Sequence, residues 1–126
     1  MKNENIYQAR QRRRNCHLEG WMPTAKQLKK FSKDLVQLMF YAMMKGYGIR
    51  IGEVFRTEEQ QALHVKSGAS KTMNSMHLKK CAADLHFTKE GRIVYPKMLG
   101  DYWEGLDDLN QWGGNWTTFK DKPHFQ

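Results

Sequence analysis

Apolar positions recur at helical spacing early in the chain. Leu28, Phe31, Leu35, Leu38, Met39 and Ala42 make one stripe over residues 25–45, and Lys29, Lys30 and Lys33 lie off it. Thr24 stands where a helix cap belongs and Gly46 where a helix stops, so the stripe predicts a core-facing helix between them. The period then changes. Residues 49–55, Ile-Arg-Ile-Gly-Glu-Val-Phe, alternate like a strand, and Thr57-Glu58-Glu59-Gln60 is a capping box that opens a second helix toward Ser67-Gly68. Cys81 to Phe87 reads as a central strand, and Thr88-Lys89-Glu90-Gly91 as a hairpin turn into Arg92-Ile93-Val94-Tyr95. A third helix is predicted from about Pro96 to Gln111, with proline near its start as first-turn geometry allows, and a last strand at His124-Phe125. These elements predict an α+β domain: a central, mostly antiparallel sheet flanked by helices.

Length and composition fit that layout. A chain of 126 residues is near the usual size of one domain and buries a core without staples. At 40% hydrophobic and 27% charged residues it has the composition of a globular protein, not of a disordered one. Its longest apolar stretch, residues 35–44, falls far short of a membrane span. The first residues are basic but contain no apolar run of the secretory type, so synthesis in the cytosol without an export signal is expected. Cys16 and Cys81 make no disulfide framework and read as two reduced thiols.

Charge divides the chain. Residues 1–50 carry eleven Lys or Arg against three acids, whereas residues 51–126 carry ten of each. The whole net charge of +8 therefore sits in the first part, in the clusters Arg10, Arg12, Arg13, Arg14 and Lys26, Lys29, Lys30, Lys33. Such a surface attracts polyanions over the about 8–10 Å that salt leaves unscreened. Residues 1–23 read as a basic arm, loose or briefly helical, and residues 24–126 as the folded domain.

Two segments hold the candidate chemistry: Ser75-Met76-His77-Leu78-Lys79-Lys80-Cys81-Ala82-Ala83-Asp84 and Asp121-Lys122-Pro123-His124-Phe125-Gln126. Two imidazoles and one carboxylate (His77, Asp84, His124) can hold one Zn²⁺ and leave its fourth position open for water. Asp121, three residues before His124, is placed to take a proton from that water. Each residue has a duller reading: a surface histidine, a buried hydrogen-bonding acid, a loop acid capping the turn before Pro123. The layout favours convergence. His77 would lie in the loop entering the central strand and Asp84 within it, and His124 joins them if the last strand pairs alongside. Cutting the chain after Pro123 is then expected to abolish zinc binding. His86 shares the face of Asp84 by strand alternation, while His17 and His64 read as solvated.

The frame Ser-x-His-x-x-x-x-x-x-Asp with a late Asp-x-x-His resembles the zinc peptidases that cut peptidoglycan stem peptides. These include D-Ala-D-Ala carboxypeptidases, vancomycin-resistance dipeptidases and the L-alanyl-D-glutamate endolysins of bacteriophages. The resemblance spans about residues 24–126, and Trp112-Gly113-Gly114-Asn115-Trp116 ahead of the last motif brings it nearest to the short phage endolysins. It implies zinc on His77, Asp84 and His124, with Asp121 as catalytic base. It also makes Arg56 the cation that faces the substrate and Ser75 a substrate-contacting serine. One departure is Lys80, where the family usually has glycine, a residue that permits unusual backbone angles. Trp112 and Trp116 would line the cleft or pack over the site.

The implied function is a phage-type endolysin, a zinc metallopeptidase acting on the stem peptide of bacterial peptidoglycan, with the L-Ala-D-Glu bond as the expected target. It would act on the wall after release, as a monomer, its basic arm touching anionic envelope polymers such as lipopolysaccharide or teichoic acid. No specific nucleic acid is expected. The alternatives are a D-Ala-D-Ala carboxypeptidase and a non-catalytic wall-binding module with a structural zinc. Structural zinc is usually closed by four protein ligands, so a free Asp121 beside an open position argues against the last.

Overall fold

Hydrogen bonds that close early in the sequence set the first helix. In the computed structural model, which describes residues 22–73 and 75–126, helix α1 runs Ala25–Met44. The Thr24 hydroxyl accepts from the Gln27 amide at 3.2 Å, and the Gln27 side chain accepts from the Thr24 amide at 2.8 Å. Two of the amides that a helix start leaves unpaired are thus satisfied by a reciprocal pair. Leu38 and Ala42 of the apolar stripe are fully buried. The stripe also carries an acid, Asp34, whose burial is offset because Lys30 at 2.5 Å and Asn110 at 3.1 Å both donate to it. The arm expected over residues 1–23 lies, apart from Met22 and Pro23, outside the described residues, as do Cys16 and His17.

The sheet is built around one strand. After α1 come β1 (Gly48–Ile51), helix α2 (Glu58–Ser67), a 3₁₀ turn at Met76–Lys79, and β2 (Ala83–Lys89). Then follow β3 (Arg92–Val94), helix α3 (Lys97–Leu106), a 3₁₀ turn at Gly113–Asn115, and β4 (His124–Phe125). β2 pairs antiparallel with β1, β3 and β4, so every pairing in the sheet is antiparallel. Along β2, β4 meets Ala83 and Asp84, and β3 meets Phe87 to Lys89. The hairpin between β2 and β3 turns through Glu90 (φ 52°) and Gly91 (φ 75°), the pair of positive angles that a tight two-residue turn demands.

Alternation along β2 divides its residues between two environments. Ala83, Leu85 and Phe87 are buried against α1 and α3, in a core that includes Phe31, Leu38, Leu99, Trp103, Trp112 and Phe125. Asp84, His86 and Thr88 point to the other side. Phe125 of β4 also belongs to the core, edge-on to Phe87 and Trp103.

Two elements end earlier than the sequence pattern predicts. The β1 ladder stops at Ile51, not Phe55, and the chain continues beside β2 irregularly: Gly52 donates to the Asp84 carbonyl at 2.7 Å and Asp84 donates to the Glu53 carbonyl at 2.8 Å. That departure turns the Val54 carbonyl toward His77. Helix α3 ends at Leu106, five residues before Gln111. Asp107 is extended there, and its carboxylate accepts from the Leu109 amide at 2.8 Å, a local turn that competes with continued helix. Pro96 is the cap of α3, one position before its first turn. Among the described residues no helix is long and apolar enough to cross a membrane.

Candidate metal centre and cleft

His77 owes its position to a turn capped from both sides. The Ser75 hydroxyl accepts from the His77 amide at 3.3 Å and opens the 3₁₀ turn. Lys80 closes the turn in the left-handed conformation, φ 57° and ψ 29°. That angle is the physical meaning of the glycine expected at this position: any side chain there is strained. Asp84 is presented by the outward face of β2, and His124 by β4, whose pairing sets it directly opposite Asp84. Gly113 allows the last segment to approach, since a Cβ there would lie 2.1 Å from the Asp121 carbonyl oxygen.

Three lone-pair atoms of the ligand type converge. His77 Nε2 is 3.1 Å from His124 Nδ1 and 3.2 Å from Asp84 Oδ1, and His124 Nδ1 is 3.6 Å from Asp84 Oδ1. Four-coordinate zinc with bonds of about 2.0–2.1 Å would hold its ligand atoms roughly 3.3 Å apart, so the spacing fits.

The hydrogen-bond network argues the same way. His77 Nδ1 lies 3.2 Å from the Val54 carbonyl, and His124 Nε2 lies 2.7 Å from Gln126 Oε1. Assigned from these partners, each outer ring nitrogen carries the proton and each inner one presents a lone pair. The inner atoms therefore face one another and Asp84 Oδ1, which is buried without a hydrogen-bond partner. Three acceptors meeting without a donor is costly for a chain alone. A divalent cation satisfies all three, and oxygen or carboxylate partners on the outer nitrogens are the usual support of histidine ligands.

Charge is uneven across the centre. Burial pushes the Asp84 carboxyl up, but the two adjacent imidazoles outweigh it when they carry a proton on the inner nitrogen, and then hold the group well below the ordinary carboxylate range. Asp121 shifts the opposite way. Burial raises it above the usual carboxylate value, Asp84 adds repulsion, and His124 offsets part of the rise. Asp121 Oδ2 stands 3.8 Å from His124 Nδ1, at the cleft side of the centre.

The centre opens into a cleft of about 410 Å³, bordered by Arg56, Ser75, Trp116, Asp121 and the two histidines. Arg56 is buried, its Nε paired with Glu53 and its Nη1 donating to Gln61 at 2.6 Å. Gln61, itself fully buried, donates in turn to Ser70 at 2.9 Å and to the Thr72 carbonyl. Arg56 thus borders the cleft and also braces the 70–72 loop.

The two tryptophans separate. Trp112 lies in the core, stacked on Phe125, with its indole N–H on the Lys122 carbonyl at 2.7 Å. Trp116 borders the cleft, its ring centroid 5.2 Å from that of His124. His86 shares the face of Asp84 but bonds the Tyr95 hydroxyl at 2.9 Å. His64 is partly exposed, 3.8 Å from Glu53, and Cys81 is buried. Val54 is the site residue that sequence reasoning missed, and Gln126 was expected at the site only as part of the closing segment, with no role of its own. A backbone carbonyl leaves no trace in sequence, but Gln126 had a signal: it follows His124 by two residues, directly after β4, where continued alternation returns it to the same face.

Comparison with known proteins agrees with this architecture. Residues 68–126, which include all of the converging side chains, match the family model described as D-alanyl-D-alanine carboxypeptidase. An L-alanyl-D-glutamate peptidase of Listeria phage A118 is 36% identical over 95 residues, 71% of this chain. The chain spans only 34% of that relative's own length. The solved L-Ala D-Glu endopeptidase of Serratia marcescens superposes with a TM-score of 0.60 at 26% identity, covering 86% of this chain and 90% of that one. The α+β fold expected from the sequence is the fold of that structure.

Proposed function

From the match of residues 68–126 to the D-alanyl-D-alanine carboxypeptidase family, we propose that this chain is a zinc-dependent peptidase of the phage-endolysin type that hydrolyses stem peptides of bacterial peptidoglycan, at the L-Ala-D-Glu bond. The phage relative and the solved structure, both named for that bond, support this choice. The observation that carries the reading is the convergence of His77, Asp84 and His124 beside an unligated Asp121 at the mouth of a cleft. A structural ion would gain nothing from a second carboxylate left outside its ligand set.

The residues divide the work. His77 Nε2, Asp84 Oδ1 and His124 Nδ1 would hold the ion, which when bound supplies Lewis acidity and lowers the pKa of water to about 7. Asp121 takes the proton of the attacking water and returns it to the leaving amine. Arg56, fixed by Glu53 and Gln61, sets a cation on the cleft wall where negative charge develops on the scissile carbonyl oxygen. Ser75 holds the His77 turn and borders the cleft, so its effect on substrate comes through position. Trp116 supplies an aromatic wall.

The experiment is digestion of purified peptidoglycan by zinc-loaded and chelator-treated protein, with mass spectrometry of the fragments. New L-Ala and D-Glu termini that appear only with zinc are the expected result. Release of terminal D-Ala alone would favour the carboxypeptidase reading that the family description also allows. Intact stem peptides under both conditions would overturn both and leave a binding module. The expected site of action is the cell wall, and the basic region before α1 would contact its anionic polymers.

A further inference from the structure

Gln126 can present either end of its amide to His124, and the choice decides which nitrogen of the ring has the lone pair. If the amide oxygen faces the ring, Nε2 carries the proton and Nδ1 is free to ligate. If the amide NH₂ faces it, Nε2 accepts, Nδ1 is protonated, and the inner position presents a donor where a ligand is needed. Something must fix the amide. In the structure Gln126 Oε1 lies 2.7 Å from His124 Nε2, and Gln126 Nε2 donates to Gln111 Oε1 at 3.3 Å. Gln111 thus takes the end of the amide that must not reach the ring.

The two glutamines are held in register by the fold. Gln111 N donates to the Gln126 carbonyl at 2.6 Å and Gln126 N to the Gln111 carbonyl at 3.0 Å. The indole N–H of Trp103, a fully buried core residue, reaches both of those carbonyls, at 3.2 and 3.0 Å. The link therefore runs from the core through a backbone pair to two side-chain amides and then to the ring. Gln111 stands just beyond the early end of α3, so the turn that stops that helix also delivers this residue to the site.

We propose that Gln111 and Gln126 are positioning residues that set the tautomer of His124 and so the metal affinity of the centre. The inference rests on the reading of His124 as a ligand. Partners of this kind typically change metal affinity by about 10–100-fold when removed.

The test is zinc affinity by competition with a chromophoric chelator, for wild type, Gln126→Leu, Gln126→Glu and Gln111→Leu. Imidazole ¹⁵N shifts of the metal-free proteins are recorded alongside, and thermal melts confirm folding. Gln126→Leu should weaken zinc binding by about 10–100-fold and mix the two His124 tautomers. Gln126→Glu keeps an acceptor for Nε2–H and should bind within a few-fold of wild type. Gln111→Leu frees the amide to turn over and should fall between them. Equal affinity in Gln126→Leu and wild type would overturn the proposal. So would a loss in Gln126→Glu as large as in Gln126→Leu, because packing and not the acceptor would then be at work. A wild type that binds no zinc would instead overturn the ligand assignment beneath it.

Discussion

The two faces of β2 are made by the same seven residues and meet opposite fates. On one side Ala83, Leu85 and Phe87 are almost completely buried, each packed against helices or aromatic rings. On the other side Asp84 ends in an oxygen buried without a hydrogen-bond partner, facing two imidazoles whose inner nitrogens are also acceptors. The first face is complete as folded. The second becomes complete only when a cation is added, and until then it costs stability. Stability is thus concentrated on one side of the strand and the proposed chemistry on the other, with a single residue of spacing between them.

The sharpest break in that comparison is His77→Ala. It should bring hydrolysis to background and leave dialysed protein with almost no zinc, while circular dichroism shows the fold retained. Unfolding on loss of this side chain would mean that the polar face also carries stability. Asp121→Ala is the next largest effect. It should keep zinc at wild-type stoichiometry and lower kcat by about 10²–10⁴-fold, the usual worth of a positioned base; unchanged turnover would remove it from that role. Phe87→Ala probes the opposite face and should cost about 3–5 kcal/mol in urea denaturation of the zinc-free protein. Its folded fraction should still bind zinc, since no ligand touches that side. Lys80→Gly is the smallest. Relieving the left-handed angle before β2 should raise stability by about 0.5–1 kcal/mol, part of it offset by the lost contact of Lys80 with the Phe55 ring. A loss of stability would show that this contact outweighs the backbone strain.

Much of the fold was legible because local signals agreed with the tertiary result. Thr24 with Gln27 and Thr57 with Gln60 both form reciprocal caps, and the Leu38–Ala42 stripe is buried as its spacing predicts. The convergence of His77, Asp84 and His124 was legible for a different reason, since their motif could be read before any contact was known. Helix α3 was over-extended because Asp107 closes a local turn that periodicity does not encode. β1 was over-extended because Gly52 and Glu53 follow Asp84 irregularly after the ladder ends. Arg56 gave no sign of its link to Gln61, and His86 none of its turn toward Tyr95, because both depend on partners brought in by other elements. Trp112 and Trp116 look alike in sequence and differ only in which side of β4 they meet.

The central claim is that three side chains from a 3₁₀ turn, a central strand and a terminal strand hold one divalent ion. Anomalous diffraction at the zinc edge from crystals of the zinc-loaded protein tests it most directly. The account predicts one strong peak at about 2.0–2.2 Å from His77 Nε2, Asp84 Oδ1 and His124 Nδ1, with Asp121 outside bonding distance. A peak at another place, or one closed by Asp121 as a fourth ligand, would contradict it.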